Sequence, residues 1–335
     1  MRAPLFLVVA ILVGALAFAV FYLVDNEYYY FAGYVVLQFI VLATAWNILG
    51  GYCGYVNFGS AAFFALGAYT SVTIHKLAPM PIPFLIAIAG ILTGIVGFGM
   101  GYLTLRLRGA FFAIATLAMA VVLQTLIVNW DFVGGARGAY VIRPHDVTVP
   151  EFVTAYMGPV AGLLGAFLKI FRSYVQYLFF LMLVLTVIAV AIARGIERSR
   201  LGYGFATIRD DEMAAEASGV PTLRLKLIAT TVSGGLMGMA GAPFPYYIGY
   251  VEPASTFGVA YAVNSIAMPM IGGTTSWIGP VIGAVLLGTV QQVATVTISS
   301  AVNLLIVGLL LIAFVIVAPN GIVGLVQERL RARRQ

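Results

Sequence analysis

The sequence predicts an all-α polytopic membrane protein with about ten transmembrane helices, several of them broken by glycine, and a candidate inverted repeat. Three observations predict it. Hydrophobic residues make up 62% of the 335 residues and charged residues only 9%, against about 25% charged in soluble domains. Apolar runs of roughly 20 residues recur along the chain, the length a helix needs to cross hydrocarbon. Between two such runs lies Leu201–Pro221, rich in charged and small residues. A polar stretch of that length belongs at a membrane face. The chain reads as a single transmembrane domain, 1–335, with an outer loop region at 131–173 and a cytoplasmic loop at 194–224.

Span one is Leu5–Val24. Arg2 and Ala15-Leu16-Ala17 resemble a signal peptide, but the apolar run is longer than a signal core and continues past that site, so it reads as a retained span. Asp25, Glu27 and the Tyr28–Tyr30 cluster suit the interface. Span two, Gly33–Leu49, ends in a glycine break at Gly50–Gly54. Span three runs Phe58–Ile74 and is followed by the stiff turn of Pro79, Pro81 and Pro83. Spans four and five are Phe84–Leu105 and Ala110–Trp130. The loop Asp131–Ser173 contains an apolar piece, Val160–Phe171, too short and glycine-rich to be assigned as a span. Then come Tyr174–Ala193, the polar Leu201–Pro221 stretch, and Leu225–Ala242. Tyr261–Ile271, Ile278–Val296 and Val302–Ala318 follow, and a basic tail, Arg329–Arg334, closes the chain.

Ten crossings with both termini in the cytoplasm place 13 of the 18 lysines and arginines inside. These are Arg2, Arg106, Arg108, six from Arg194 to Lys226, and four in the tail. The reverse orientation places five inside, so the positive-inside rule selects the first. The net charge of +6 is therefore a topology signal rather than a sign of nucleic-acid binding. The similar segments Gly54-Tyr55-Val56-Asn57 and Gly249-Tyr250-Val251-Glu252 follow spans of opposite sense, the pattern of an inverted repeat.

Within the polar stretch, Asp210 and Asp211 are good N-caps, Met213–Ala217 favours helix, and Gly219 with Pro221 stops it. Such an element suits docking of a soluble partner; a plain solvated loop is the alternative. The residues Gly202-Tyr203-Gly204-Phe205, Ala206–Glu212, Ala214-Ala215 and Gly219 resemble the coupling loop of ABC-importer permeases, specifically the LivM-type permease subunit of branched-chain amino acid importers. Leu49–Thr70, Leu107–Leu117, Asn129–Gly138, Ile271–Gly283 and Pro319–Gly324 carry the resemblance along the chain in the family's order. One departure is Ser60, where the family often has His.

The resemblance implies a permease subunit in a bacterial cytoplasmic membrane that moves branched-chain or other apolar amino acids inward. It implies as partners a second permease (hetero- or homodimer), two cytoplasmic ATPase subunits and an external substrate-binding protein. It further implies that Gly202, Gly204, Ile208, Arg209, Asp210, Asp211, Glu212 and Gly219 form the ATPase-coupling element. Related permeases for urea, amides or small organic acids remain an alternative, as does an uncoupled channel.

No GxxxxGK[ST] loop is present, so this chain is expected to bind no ATP in that way and no cofactor of its own; ATP belongs on the partner ATPases. Cys53 is the sole cysteine, which excludes an internal disulfide and a cysteine-cluster metal site. His75 and His145 fall in separate outer loops. No metal site or nucleophile–base set appears in the spans, so enzymatic activity is not expected. The spans are read as free of Asp, Glu, Lys and Arg, which argues against proton or sodium coupling. Candidate path residues are Tyr55, Asn57, Ser60, Asn264 and Thr274, with Asn47, Gln38, Ser265, Thr275, Gln291 and Gln292 as further polar groups. Small and polar residues also serve plain helix packing. Arg137 and Arg143, in the outer loop, are candidate contacts for a binding protein.

Overall fold

A computed structural model describes residues 3–24, 26–78, 80–104, 106–141, 171, 173–297, 300–318 and 321–332. The first half holds α1 (Ala3–Val24), α2 (Glu27–Asn47), α3 (Ser60–Leu77), α4 (Ile82–Thr104) and α5 (Ala110–Val128). The second half begins with α6 (Tyr174–Glu197) and two short helices, α7 (Arg200–Asp210) and α8 (Glu212–Ala217). It continues with α9 (Thr222–Gly241), α10 (Phe244–Ile248), α11 (Pro253–Thr256), α12 (Val259–Gly272), α13 (Ile278–Thr297), α14 (Ser300–Val317) and α15 (Gly321–Ala332). Seven segments among the described residues are long and apolar enough to cross a membrane. They start at Glu27, Ile82, Ala110, Tyr174, Thr222, Pro253 and Ile278.

Contacts sort the helix ends onto two faces. On one face the backbone N–H of Trp277, just before α13, donates to Glu197 Oε2 at the end of α6 (2.6 Å), and the Tyr52 hydroxyl reaches the same oxygen (3.4 Å). Phe6 of α1 packs edge-on against Trp277 there, centroids 5.0 Å apart. On the opposite face Lys76 Nζ donates to the Phe132 carbonyl (2.8 Å), and Tyr246 meets His75 Nδ1 (3.2 Å). That face also carries the short strands β1 (Ala139–Tyr140) and β2 (Tyr250–Val251), paired antiparallel with Ala139 opposite Val251. The ladder fastens the chain after α5 to the chain after α10.

The centre of the fold is α2 and α9. Both are buried along most of their length (72% of the apolar window in each), whereas α5 is only 17% buried and forms the rim. The rim residues Phe111, Leu126, Ile91 and Leu23 are large, apolar and exposed, as suits contact with lipid.

The expected break at Gly50–Gly54 is shifted. The helix continues past α2 as a π turn, Ile48–Tyr52, with Cys53 still in right-handed helical backbone, and the chain turns away at Gly54, φ +80. A Cβ on Gly50 would strike the Trp46 ring. The glycine therefore lets the indole lie flat on the backbone while its Nε1 donates to the Asn57 carbonyl (2.8 Å). The polar stretch also holds two helices rather than the single one expected over Met213–Ala217. Only Phe171 of the piece Val160–Phe171 lies within the described residues.

Candidate functional site

The site is the face where α7 and α8 lie across the ends of α2, α5 and α9. Ser199, in extended backbone, caps α7 by accepting from Leu201 N (3.2 Å). Phe205 and Ile208 are one turn apart and buried, so they fix α7 onto the helix ends. The other side presents Tyr203, 71% exposed, with Thr207 and Asp210. Asp211 caps α8 through Oδ1, accepting from Met213 N (2.8 Å) and Ala214 N (3.0 Å). Asp210 is instead the last residue of α7 and pairs with Arg209 (3.3 Å). Gly219 stops α8 at φ +81, with Val220 N donating back to the Ala215 carbonyl (3.0 Å).

Glu212, the first residue of α8, turns inward. Its Oε1 accepts from Lys226 Nζ at 2.6 Å, and its Oε2 accepts from the Tyr55 hydroxyl. Lys226 Nζ also donates to the Tyr55 oxygen (3.2 Å) and stands 4.9 Å from that ring's centroid. Arg108, at the α4–α5 connection, closes the group: Nε lies 3.6 Å from Glu212 and Nη2 3.5 Å from Glu216. Burial pushes the Glu212 carboxyl up. The hydrogen bonds from Lys226 and Tyr55 and the charges of Lys226 and Arg108 outweigh it, so the group titrates below its usual range. A depressed carboxylate stabilises above its unfolded pKa of about 4.3 and loses that contribution as pH falls through the folded value. The Glu212 contribution is therefore present at neutral pH and is lost on acidification.

Reading the spans as uncharged overlooks Lys226, the second residue of the span drawn from Leu225. It lies in the second turn of α9, is 3% exposed, and carries its positive charge inward to Glu212. A lone lysine at the start of an otherwise apolar run is the sequence signal for such a group. Tyr203 and Met213, the exposed large hydrophobic side chains of α7 and α8, carry no such signal.

Gly54 sits at φ +80, and a Cβ there would stand 3.0 Å from Arg209 Cγ. The connection from α2 to α3 thus packs its backbone directly on α7. Beside it opens a cleft of about 360 Å³ lined by Gly54, Tyr55, Arg108, Arg209 and Glu212. Chemically this arrangement can transmit a push. Displacement of α8 moves Glu212, and Glu212 holds one residue from the α2–α3 connection, one from α9 and one from the α4–α5 connection.

The structure divides the eight expected coupling residues. Arg209, Asp210, Asp211 and Gly219 are exposed, Ile208 is buried, and Glu212 faces inward. Gly202 and Gly204 allow close packing: a Cβ on Gly204 would stand 2.7 Å from Leu225 Cδ1, and one on Gly202 would strike the Ile196 carbonyl.

Most of the expected polar path groups are buried, and two pairs form among them. Ser60 Oγ lies 2.7 Å from Ser265 Oγ, Gln291 donates to Asn264 Oδ1 (2.8 Å), and Gln38 reaches the Ala240 carbonyl (3.4 Å). Asn57 Oδ1 accepts from Gly59 N (2.7 Å) at the start of α3. Thr274 is half-buried after α12, apart from that belt, and Tyr55 belongs to the Glu212 cluster. Asn57→Ala removes this buried side-chain-to-backbone hydrogen bond and should lower thermal stability by about 1 kcal/mol. Unchanged unfolding together with a changed transport rate would assign Asn57 to the path instead.

Arg137 is exposed beside β1, and its carbonyl accepts from the Tyr250 hydroxyl. Arg143 lies outside the described residues. Among the described residues no group of three or more His, Cys, Asp or Glu could hold a metal.

Residues 28–315 match the family model described as the permease component of branched-chain amino acid transport systems. The chain is 28% identical over 299 residues to the high-affinity branched-chain amino acid transport system permease protein LivM of Escherichia coli K12, covering 88% of this chain and 70% of that protein. LivM of Salmonella typhimurium is 27% identical over 302 residues, with the same coverage. The probable branched-chain amino acid transport permease LivH of Methanocaldococcus jannaschii is 24% identical over 295 residues, covering 82% of this chain and 85% of that protein. No solved structure matches the chain.

Proposed function

The chain belongs to the permease components of branched-chain amino acid transport systems, and on that premise we propose that it imports branched-chain or other apolar amino acids across a bacterial cytoplasmic membrane. It does so beside a second permease, with ATP bound and hydrolysed by two partner ATPases and substrate delivered by an external binding protein. The observation that carries this reading is the α7–α8 pair, a stiff element with an exposed outer side and an inner carboxylate tied to two interhelical connections and to α9. Nucleotide-driven motion can do work on the spans only through an element of that kind.

The orientation follows. The α7–α8 face is cytoplasmic, both termini lie on it, and ten helices cross: the seven longer segments with α1, α3 and α14. Support for an inverted repeat comes from packing. In the first half α3 and α4 pack on α9; in the second, α12 and α13 pack on α2. Gly54 and Gly249, at φ +80 and +82, open the two similar segments on opposite faces. The path is uncharged, built from dipoles such as Ser60, Ser265 and Asn264, which suits an aliphatic amino acid and disfavours a polyvalent anion.

Reconstitution of the chain with its partner permease, ATPases and binding protein tests the reading. Labelled leucine should accumulate only with ATP and binding protein present. ATP-independent flux through the chain alone, or a cognate binding protein that takes only a sugar or a phosphate ester, would overturn it. Arg137 offers charge to the docking protein, so Arg137→Glu should slow docking about tenfold at low ionic strength, the lower end of the range for steering. The deficit should vanish near 1 M salt, where the screening length is about 3 Å. An unchanged low-salt rate removes Arg137 from the docking surface.

A further inference from the structure

We propose that the outward-facing groove between α4 and α9 is a binding site for one anionic phospholipid of the cytoplasmic leaflet. Two adjoining cavities, about 370 and 440 Å³, share Phe98 and Thr231 and run as one trough between the helices. Its upper floor is Gly90, on which Met239 packs, and Gly94, where the absence of a side chain leaves space; its lower end is Arg224. Ile91, Ile95, Phe98 and Tyr102 form one exposed stripe of α4 along it, each half or more exposed.

The walls dictate an apolar tenant. Almost all the surface lining the trough is apolar, and the Thr231 hydroxyl is already committed to the Leu227 carbonyl at 2.7 Å. A peptide laid there would find no partner for its backbone, whereas an acyl chain needs none. From Gly90 to Phe98 the helix rises about 12 Å, close to the roughly 15 Å of hydrocarbon in one leaflet.

The cytoplasmic end dictates an anion. Arg224 is exposed, and among the described residues no carboxylate lies within ion-pair distance of it. It stands in the first turn of α9, whose N-cap, Pro221, supplies no side-chain hydrogen bond. The positive dipole of that turn adds to the guanidinium; Glu216 Oε1 accepts from Thr222 Oγ1 at the same helix start (2.8 Å) and leaves Arg224 itself unpaired among the described residues. Arg106 lies one turn beyond Tyr102, its guanidinium 5.7 Å from that ring's centroid, so it continues the same stripe to the membrane face. An apolar trough of one leaflet's depth with arginines at its mouth complements a single lipid: chain in the groove, phosphate at the end. A helix of the second permease would have to bring its own carboxylate to satisfy Arg224.

The site rests on the orientation proposed above only for the name of the leaflet; binding measured in detergent is independent of it. Native mass spectrometry of the purified full chain, titrated with phosphatidylglycerol and with phosphatidylcholine of the same acyl chains, reads it directly. Phosphatidylglycerol should bind preferentially. The double variant R106Q/R224Q should weaken it about 30-fold, from about 1 kcal/mol for each arginine. R106K/R224K should retain most of the preference, and this conservative pair separates charge from folding. Gly94→Leu, whose Cβ meets only ordinary contacts at 3.6 Å or more, should fill the groove and weaken both lipids alike. Three results would overturn the site: no preference for phosphatidylglycerol, a preference that survives R106Q/R224Q, or equal displacement by glycerol phosphate lacking acyl chains. A benzophenone at position 95 that traps the second permease in the assembled importer, instead of lipid, also overturns it.

Discussion

Glu212→Ala is expected to uncouple transport and to destabilise the protein by about 3 kcal/mol. The substitution leaves Lys226, only 4% exposed at its side chain, with its charge buried and its closest partner gone. Breaking one side of a buried pair typically costs about 3–5 kcal/mol, and the nearby Tyr55 oxygen together with the partial exposure of Glu212 argues for the lower end. Stability and coupling can be separated. The double variant Glu212→Gln with Lys226→Met leaves no lone charge, so thermal unfolding should return most of the way to the parent. Coupled uptake should not return, because α8 has then lost its ionic hold on α9. Normal ATP-driven uptake by the double variant would reduce the cluster to a structural clasp.

Gly67→Leu is expected to abolish folded protein. Here α3 crosses α9 backbone to backbone: a Cβ on Gly67 would fall inside the Gly238 carbonyl, and one on Gly241 inside that of Phe64. Neither obstacle is a flexible side chain, so the helices must separate. Overpacking costs about 1–3 kcal/mol where side chains can adjust, and more where backbone must move. Gly99→Leu is the matched control, since nothing stands within 4 Å of its Cβ on the exposed side of α4. The monodisperse fraction on size-exclusion chromatography should collapse for Gly67→Leu and hold for Gly99→Leu. Equal behaviour of the two would show that the α3–α9 contact is looser than described.

The contrast between these two residues marks what the sequence could and could not reveal. Apolar length made the spans legible, because hydrocarbon demands about 20 such residues whatever their neighbours. The Asp211 cap and Gly219 stop were legible because capping is local chemistry. Gly67 and Gly99 look alike as letters; only the packing of α3 on α9 distinguishes them. Lys226 reads in the sequence as a topology charge and not as a buried partner, since Tyr55 and Glu212 lie 171 and 14 positions away. The polar groups Ser60, Ser265, Asn264 and Gln291 were singled out by type, but their mutual pairing depends on tertiary structure. Helix α7 was hidden because its two glycines weaken the helical signal, and burial of Phe205 and Ile208 overrides that propensity.

The central claim is that the exposed side of α7–α8 receives the ATPase and relays its motion through Glu212. Cysteine cross-linking from Met213, 68% exposed on α8, tests it most directly, since the native Cys53 is buried. In the assembled importer, Met213→Cys should cross-link to the ATPase with a yield that changes on adding nucleotide, and Tyr203→Cys should do the same. Leu126→Cys, exposed towards the far end of α5, should give no such product. Absence of any ATPase product from both positions 203 and 213, in an assembly that still imports substrate, would contradict the account.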